Sequence, residues 1–266
     1  MESVHSAEGP PPGVPAVVIT RVAERQWHAV EDDRVVGRGD ASPRPDGRIF
    51  LSIDSWHGAV FDALADAMLA ELPTPLYTVV DEADLESTSS WARAGFTTRR
   101  REWEYLVSTD PLVTGLASVP TPSGVTIVPV GAAQEGPLRE VYDAIRAEVE
   151  ATFGWESMPA EVIHRPDGAP HDPSKYVVAA ESGRYVGLVR VVARRRHARI
   201  GLIAVRADLR RRGIGRSLLA HVLGSLHRRG IDTASAEMDE SNGAAMALFE
   251  GVGARHAGSN LELVLR

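Results

Sequence analysis

The 266-residue chain contains no cysteine, a single lysine at Lys175 and no long hydrophobic run. Without cysteine there are no disulfides, no thiolate metal ligands and no cysteine nucleophile. Such usage fits a reducing cytoplasm, where we expect the protein. No apolar run approaches the roughly 18–20 residues that span a bilayer, so we expect no membrane segment. No His-Glu-x-x-His or comparable pattern occurs either, and we expect no metal site.

Charge is distributed unevenly along the chain. The formal net charge is −7, which argues against a nucleic-acid partner for the molecule as a whole. Residues 194–229 hold eleven arginines and one acid, Asp208, so this segment carries +10 and the rest of the chain carries −17. The preference for arginine over lysine fits either a GC-rich genome or selection for forked anion donors. The sequence therefore predicts a local positive field on an acidic protein, and no binding of nucleic acid.

Proline- and glycine-rich segments divide the chain. A length of 266 residues suits two domains, since one domain usually has about 100–200 residues. Residues 1–15 contain four prolines, and we expect them to form a disordered tail. Residues 108–124 are rich in Ser, Thr, Pro and Gly and are typical of a linker. These segments define an N-terminal half, residues 16–107, and a C-terminal half, residues 125–266.

The two halves resemble each other, which indicates an internal duplication. β-type runs at 48–54 and 199–205 are each followed by a helical pattern, a second β-type run, a second helical pattern and a last β-type run. Upstream, each half contains a predicted hairpin, around Asp32-Asp33 and around Ser182-Gly183. Only the C-terminal half also has an opening strand and a further helix, at about 137–152. The pattern is typical of a full α+β unit preceded by a shortened copy.

A glycine-containing turn follows the predicted strand that ends at Val205. The sequence Arg210-Arg-Arg-Gly213-Ile-Gly215-Arg216 stands between that strand and an amphipathic helix. The free N–H groups and the dipole of a helix N-terminus bind phosphate. Glycine lets the backbone approach a ligand closely, and arginine supplies charge and forked donors. The turn is neither a P-loop nor a dinucleotide fingerprint, because the required lysine and third glycine are absent. We therefore predict a phosphate site of another kind.

At these residues the chain resembles the GCN5-related N-acetyltransferase (GNAT) family. Arg210, Gly213 and Gly215 match the family's acetyl-CoA motif Arg/Gln-x-x-Gly-x-Gly/Ala, and residues 237–254 are similar to its segment from strand 5 to helix 4. The resemblance covers the C-terminal half well and the N-terminal half only as a decayed copy. It implies an α+β fold of tandem GNAT-like mixed β-sheets flanked by helices. Strands 4 and 5 of the C-terminal copy would be splayed apart.

The resemblance also implies which residues bind acetyl-CoA, the co-substrate. The pantetheine arm would pair with the end of strand 4, and the pyrophosphate would rest on the amides of the turn. The residues implied are Ile203, Ala204 and Val205 on the strand, Arg210, Arg211, Arg212, Gly213, Ile214, Gly215 and Arg216 in the turn, and Asn242 and Phe249 beyond it. The N-terminal half lacks the motif, so we predict no acetyl-CoA there.

Two family positions for proton transfer are altered in this sequence. Gly201 stands where many family members place a glutamate on strand 4. Glu237 fits the strand 5 glutamate of the ribosomal-protein alanine acetyltransferases, but their tyrosine twelve residues later is replaced by Phe249. We expect Glu237 to be the catalytic base, with a purely structural carboxylate as the alternative. Ser241 is a candidate to assist the thiolate or, alternatively, the N-cap of the next helix.

The loop 153–175 would shape the acceptor site, as the corresponding region does in this family. Its acidic residues predict a cationic amine, with a solvated loop as the alternative, and His164 and His171 are weaker candidates for the base. We predict an N-acetyltransferase in which the amine of a small molecule attacks directly in a ternary complex. The alternative is a catalytically weak acyl-CoA-binding protein that acts as a sensor or regulator. Both a pseudo-dimeric monomer and a homodimer are compatible with a duplicated chain.

Overall fold

The computed structural model describes residues 17–44, 46–152, 154–155, 158, 171–193 and 196–266, so the predicted tail at 1–15 lies outside the described residues. Within these ranges the chain forms twelve β-strands and five α-helices. The strands are β1 (Val18–Ala23), β2 (Gln26–Glu31), β3 (Arg34–Pro43), β4 (Ile49–Ser55), β5 (Leu76–Asp81), β6 (Thr97–Ser108), β7 (Val125–Val128), β8 (Tyr176–Glu181), β9 (Arg184–Ala193), β10 (Ala198–Val205), β11 (Thr233–Asp239) and β12 (Arg255–Leu265). The helices are α1 (Gly58–Glu71), α2 (Leu85–Arg93), α3 (Glu135–Glu150), α4 (Ile214–Arg228) and α5 (Gly243–Glu250).

All twelve strands belong to one continuous mixed sheet, which confirms the predicted α+β class. The strand order is β1-β2-β3-β4-β5-β12-β6-β11-β10-β9-β8-β7. The last strand of each half lies beside strands of the other half, because β6 pairs with β11 and β12 while β12 pairs with β5 and β6. The two halves have therefore exchanged their final strands, and β6 of the N-terminal half is part of the sheet around the C-terminal site.

The two predicted hairpins are confirmed. Asp32 and Asp33 connect β2 to β3 with φ angles of 47° and 60°. Ser182 and Gly183 connect β8 to β9 with φ angles of 51° and 79°. Two successive residues with positive φ form the tight hairpin turn whose twist matches that of the strands, and Asp, Ser and Gly tolerate it.

Helices cover the two faces of the sheet unequally. Leu64 of α1 and Leu218 of α4 are buried in two clusters on one face. α3 covers the other face and packs its Leu138 against Val178 and Leu202. We call this second side the α3 face. Among the described residues no helix covers the part of the α3 face that β1–β5 form, where Phe50 is nevertheless buried at 6% exposure.

A buried ion network joins the halves at the centre of the sheet. The Glu262 carboxylate on β12 is only 2% exposed. It accepts hydrogen bonds from Arg48 Nη1 at 3.1 Å, Arg99 Nη1 at 2.6 Å and Arg100 Nε at 3.1 Å. A charge buried this deeply is tolerated because it is paired and hydrogen-bonded on several sides.

The connection between the halves is packed rather than loose. The N–H of Thr109 donates to the carbonyl of Asp232 at 3.0 Å, and Leu116 is buried in the core beneath α4. Ser217 at the start of α4 donates its hydroxyl to the carbonyl of Pro120 at 3.3 Å. In the described ranges no helix is long and apolar enough to cross a membrane.

Candidate functional site

A gap opens between the neighbouring parallel strands β10 and β11. They pair only at Ala198–Ala234 and Arg199–Ser235 and then diverge toward their carboxyl ends. Gly201 lies in an irregularity of the β9–β10 ladder between Ile200 and Leu202, where a bulge bends the strand. Beyond Arg199 the edge of β10 that faces β11 therefore has no strand partner among the described residues. The predicted splay of these two strands is confirmed.

A cavity of about 540 Å³ occupies this gap. Both walls are mainly apolar, with a few polar groups at the ends, which is typical of a site for a small ligand. Its lining includes Val149, Met158, Gly201, Leu202, Ile203, Ala204, Val205, Arg210, Arg211, Gly213, Ile214, Gly215, Arg216, Glu237, Asp239, Ser241, Asn242, Ala245, Leu248 and Phe249. Except for Arg212, every residue implied by the family resemblance lines this cavity.

Backbone amides line the end of the cavity where α4 begins. Arg211 and Gly213 have left-handed backbones, with φ of 66° and 83°, and Gly213 is the N-cap residue of α4. Within the described part of the chain, no group accepts a hydrogen bond from the N–H groups of Arg211–Arg216. A helix N-terminus leaves such donors unsatisfied and carries partial positive charge. The turn can therefore receive an anion through its backbone alone.

The arginine side chains of the turn differ in their partners. Arg210 donates from Nε to the carbonyl of Val205 at 3.2 Å, so it braces the turn. Arg212 forms an ion pair with Glu181 on β8. The exposed side chains of Arg211 and Arg216 have no ion-pair partner in the ranges that the structure describes. These two guanidiniums supply the uncompensated positive charge beside the amides.

Glu148, near the end of α3, ties that helix to the start of the turn. Its carboxylate accepts hydrogen bonds from Arg206 Nε at 2.6 Å and from the N–H of Ala207 at 2.8 Å. Arg210 Nη2 lies 3.8 Å away. The sequence analysis missed this residue because no motif marks it. Only the folded structure shows that this carboxylate on α3 contacts a turn that is distant in the sequence.

Glu237 projects from β11 into the cavity. Its side chain is 18% exposed and forms an ion pair with Arg199 on β10. The carboxylate thus has a cationic partner and still lines the cavity. This placement is compatible with both predicted roles, as a base and as a structural carboxylate.

The structure changes the interpretation of Ser241. The residue that caps α5 is Asn242, whose Oδ1 accepts a hydrogen bond from the N–H of Ala245 at 3.1 Å. Ser241 instead donates its hydroxyl to Asp239 Oδ1 at 2.5 Å, so the alternative of Ser241 as N-cap is wrong. Both residue types cap helices well, and the backbone path selects the second of two adjacent candidates. The Nδ2 group of Asn242 has no acceptor among the described residues.

No hydroxyl stands at the position of the family tyrosine. Phe249 is 1% exposed, packs in the core and also contributes to the lining of the cavity. Gly201 likewise brings no carboxylate to β10.

Other predicted candidates do not line the cavity. His171 is buried, with its ring centroid 4.4 Å from that of Tyr142 and 5.7 Å from that of Tyr176. His164 and most of the acidic loop lie outside the described residues. Among those described, no cluster of three or more potential ligands could hold a metal ion.

The model of the acetyltransferase (GNAT) family matches residues 138–254. The matched segment contains the gap, the turn and the cavity. This segment, a little under half of the chain, carries a domain of the GNAT acetyltransferase family. Members of this family generally use acetyl-CoA, and the amides, glycines and apolar walls of the cavity suit its diphosphate and its pantetheine arm.

Solved GNAT structures share the fold over nearly the whole chain. A GCN5-related N-acetyltransferase from Sphaerobacter thermophilus has 20% identity and a TM-score of 0.63, with 92% of this chain and 82% of that chain covered. A tandem GNAT protein from the clavulanic acid biosynthesis pathway has 16% identity and a TM-score of 0.64, with 90% and 82% covered. At such identities the likeness shows the GNAT fold alone.

Among curated proteins, the [ribosomal protein bS18]-alanine N-acetyltransferase of Escherichia coli is 46% identical over 55 residues. The match covers 21% of this chain and 37% of that enzyme. The chain thus matches little more than a third of the length of this curated relative.

Proposed function

We propose that the protein is an acetyl-CoA-dependent N-acetyltransferase whose acceptor is the amine of a small molecule. The observation that carries the proposal is the row of backbone amides at 211–216, which have no acceptor among the described residues and close one end of a cavity between two diverging strands. A diphosphate is stabilised by such N–H groups and by the positive end of a helix. Together with the family match, this arrangement supports acetyl-CoA as the donor.

Each part of the cavity has a role in this proposal. The pantetheine arm lies along Ile203–Val205, whose edge has no strand partner in the described ranges. Gly213 and Gly215 keep side chains away from the diphosphate. Arg211 and Arg216 add charge, since the other arginines of the turn have protein partners. The Nδ2 group of Asn242 is a further donor, and Phe249 forms part of the apolar wall.

The reaction is the aminolysis of a thioester. The neutral amine attacks the acetyl carbonyl carbon, a C–N bond forms, the C–S bond breaks, and the leaving thiolate takes up a proton. Glu237 accepts a proton from the attacking amine, directly or through water. An N–H group on the open edge of β10 polarises the carbonyl, a contribution of about 2–4 kcal/mol.

The thiolate takes its proton from solvent in this scheme, because Phe249 replaces the tyrosine of related enzymes. Ser241 assists only if its hydroxyl leaves Asp239, to which it donates in the structure. We therefore expect Ser241→Ala to retain most of the turnover, whereas Glu237→Gln should lose most of it.

Calorimetric titration with acetyl-CoA tests the donor site. Arg211→Ala should weaken binding by about tenfold, equivalent to about 1.4 kcal/mol. Arg38→Ala, which removes an equal charge from an exposed position on β3, should not. Absence of binding at millimolar acetyl-CoA would refute the proposal. A screen of CoA release over an amine library then identifies the acceptor, and a peptide that begins with alanine belongs in this screen because of the curated relative.

A second candidate function is a catalytically weak acyl-CoA-binding protein. Gly201 and Phe249 favour it, because they remove a carboxylate and a hydroxyl that related enzymes use. Tight acetyl-CoA binding combined with slow CoA release for every amine would support this candidate. Rapid acetylation of any one amine would exclude it.

A further inference from the structure

Strand β6, which comes from the N-terminal half, runs beside β11 at the edge of the cavity. In the antiparallel register Glu104 lies directly opposite Glu237, and Glu102 lies directly opposite Asp239. Directly opposite residues project from the same face of a sheet. Since Ala236 belongs to the core beneath α4, these four acids project from the α3 face. The strand exchange therefore brings N-terminal carboxylates next to the candidate base.

The four acids differ in how their charges are compensated. Glu237 is paired with Arg199, and Asp239 accepts two hydrogen bonds from Ser241. Glu102 is 7% exposed, and its Oε1 forms an ion pair with Arg100 Nη2 at 2.7 Å.

Glu104 is the acid without a counterion. It is half-buried and has neither an ion pair nor a side-chain hydrogen bond within the part of the chain that the structure describes. Acids directly opposite each other destabilise a sheet. Burial raises the pKa of Glu102, Arg100 lowers it, and the negative charge of Glu237 raises it further. Added negative charge is therefore unfavourable in this region. A cation bound here would relieve that repulsion.

We infer that Glu104 binds a second ammonium group of the acceptor, so that the acceptor is a diamine or a longer polyamine. The inference rests on the proposed function. The attacking nitrogen must be neutral, so a carboxylate that only stabilised its charge would oppose the reaction. A carboxylate one strand away, at a Cβ separation of about 5 Å from Glu237, can instead hold the other end of the acceptor.

Access to Glu104 comes from the α3 face of the sheet, where its side chain is half-buried. An acceptor that reaches both Glu104 and Glu237 has to span only the two neighbouring strands β6 and β11. The gap between β10 and β11 meets the same face at Glu237 and Asp239. The donor would thus enter through the gap while the acceptor lies on the sheet in front of it.

The test compares 1,5-diaminopentane with 1-aminopentane, which has the same carbon chain and one ammonium fewer. Binding of each amine to the full-length protein saturated with CoA is measured by calorimetry, after a titration that establishes CoA binding. We expect the diamine to bind about tenfold more tightly, as for an ion pair of intermediate exposure. The preference should fall with added salt.

Substitutions at Glu104 separate its charge from its structural role. Glu104→Gln should remove the preference for the diamine and leave 1-aminopentane unaffected, whereas Glu104→Asp should retain most of the preference. The control is Glu86→Gln, which makes the same change of charge at an exposed position of α2, on the opposite face of the sheet. Thermal unfolding of each variant verifies that it is folded.

Each outcome has a distinct meaning. Failure to bind CoA or acetyl-CoA would overturn the proposed function and, with it, this inference. Binding of CoA with equal affinities for the two amines, or with neither amine bound, would overturn only the role of Glu104. If Glu104→Gln lost affinity equally for both amines, the role of Glu104 would also be overturned, because an ion pair with the second ammonium strengthens binding of the diamine alone.

Discussion

The two glycines of the turn should respond in opposite ways to substitution by alanine. Gly213 has φ of 83°, a left-handed conformation that an L-residue with a side chain adopts at a penalty of about 1–2 kcal/mol. The added Cβ would lie 3.7 Å from Pro122 Cγ, an ordinary contact, so the penalty arises from the backbone and not from a clash. We expect Gly213→Ala to destabilise the protein by about that amount.

Gly215 lies in the first turn of α4. Its added Cβ would meet Leu248 Cδ2 at 3.7 Å and Val205 Cγ2 at 3.9 Å, which are also ordinary contacts. A glycine replaced by alanine at a compatible backbone stabilises a protein by about 0.4–1 kcal/mol, because the unfolded chain loses freedom. Gly215→Ala should therefore be at least as stable as the original protein. Because the family motif accepts alanine here, this variant should still bind acetyl-CoA.

Thermal unfolding with and without acetyl-CoA measures both effects. A change of 1 kcal/mol corresponds to a Tm shift of roughly 2–4 °C for a protein near this size. Gly213→Ala should melt lower and lose about tenfold in acetyl-CoA affinity, because relaxing its backbone turns the amides of the turn away from the cavity. The reasoning would be refuted if Gly213→Ala kept both the Tm and the affinity, or if Gly215→Ala were the less stable variant.

Three further substitutions, one of them with a control at Glu71, test the charged groups of the fold. Glu148→Ala should lower acetyl-CoA affinity by about tenfold in calorimetry, since the turn loses its tie to α3; an unchanged Kd would contradict this role. Glu262→Gln should cost about 3–5 kcal/mol in urea unfolding because it removes the buried negative charge that Arg48, Arg99 and Arg100 share. Glu71→Gln, at the exposed pair with Arg21, should cost less than about 1 kcal/mol; similar losses in the two variants would contradict this reasoning. Burial raises the pKa of Glu102, so its protonation stabilises the fold at low pH, and this contribution is lost as the pH rises from the unfolded value near 4.3 through the raised pKa. Glu102→Gln should therefore gain stability relative to the original protein across that window, and a difference that does not change with pH would argue against a raised pKa.

Features that depend on neighbouring residues were predictable from the sequence. The hairpin turns at Asp32-Asp33 and Ser182-Gly183, and the start of α4 just after Gly213, follow from local backbone preferences. The splay between β10 and β11 followed from a family motif and not from a local preference.

Features that depend on distant contacts were not predictable from this sequence. Pairing of β5 with β12 joins Val80 to Leu261, and the alternation of either strand would suit several partners equally well. The opposition of Glu104 and Glu237 is a result of the same pairing scheme. Glu148 was missed for a related reason, because its partners lie about sixty residues further along the chain.

Because the two halves exchange their final strands, inter-strand hydrogen bonds hold them together in addition to the covalent connection. A protease that cut beside Leu112 or Val113, which are 82% and 70% exposed, would sever the covalent connection and leave the ladders β5–β12 and β6–β11 intact. Such nicked protein should migrate as a single particle until a denaturant separates the fragments. Fragments produced separately would each lack a neighbour for an inner strand, so the chain is suited to reconstitution from two pieces whose association restores the cavity.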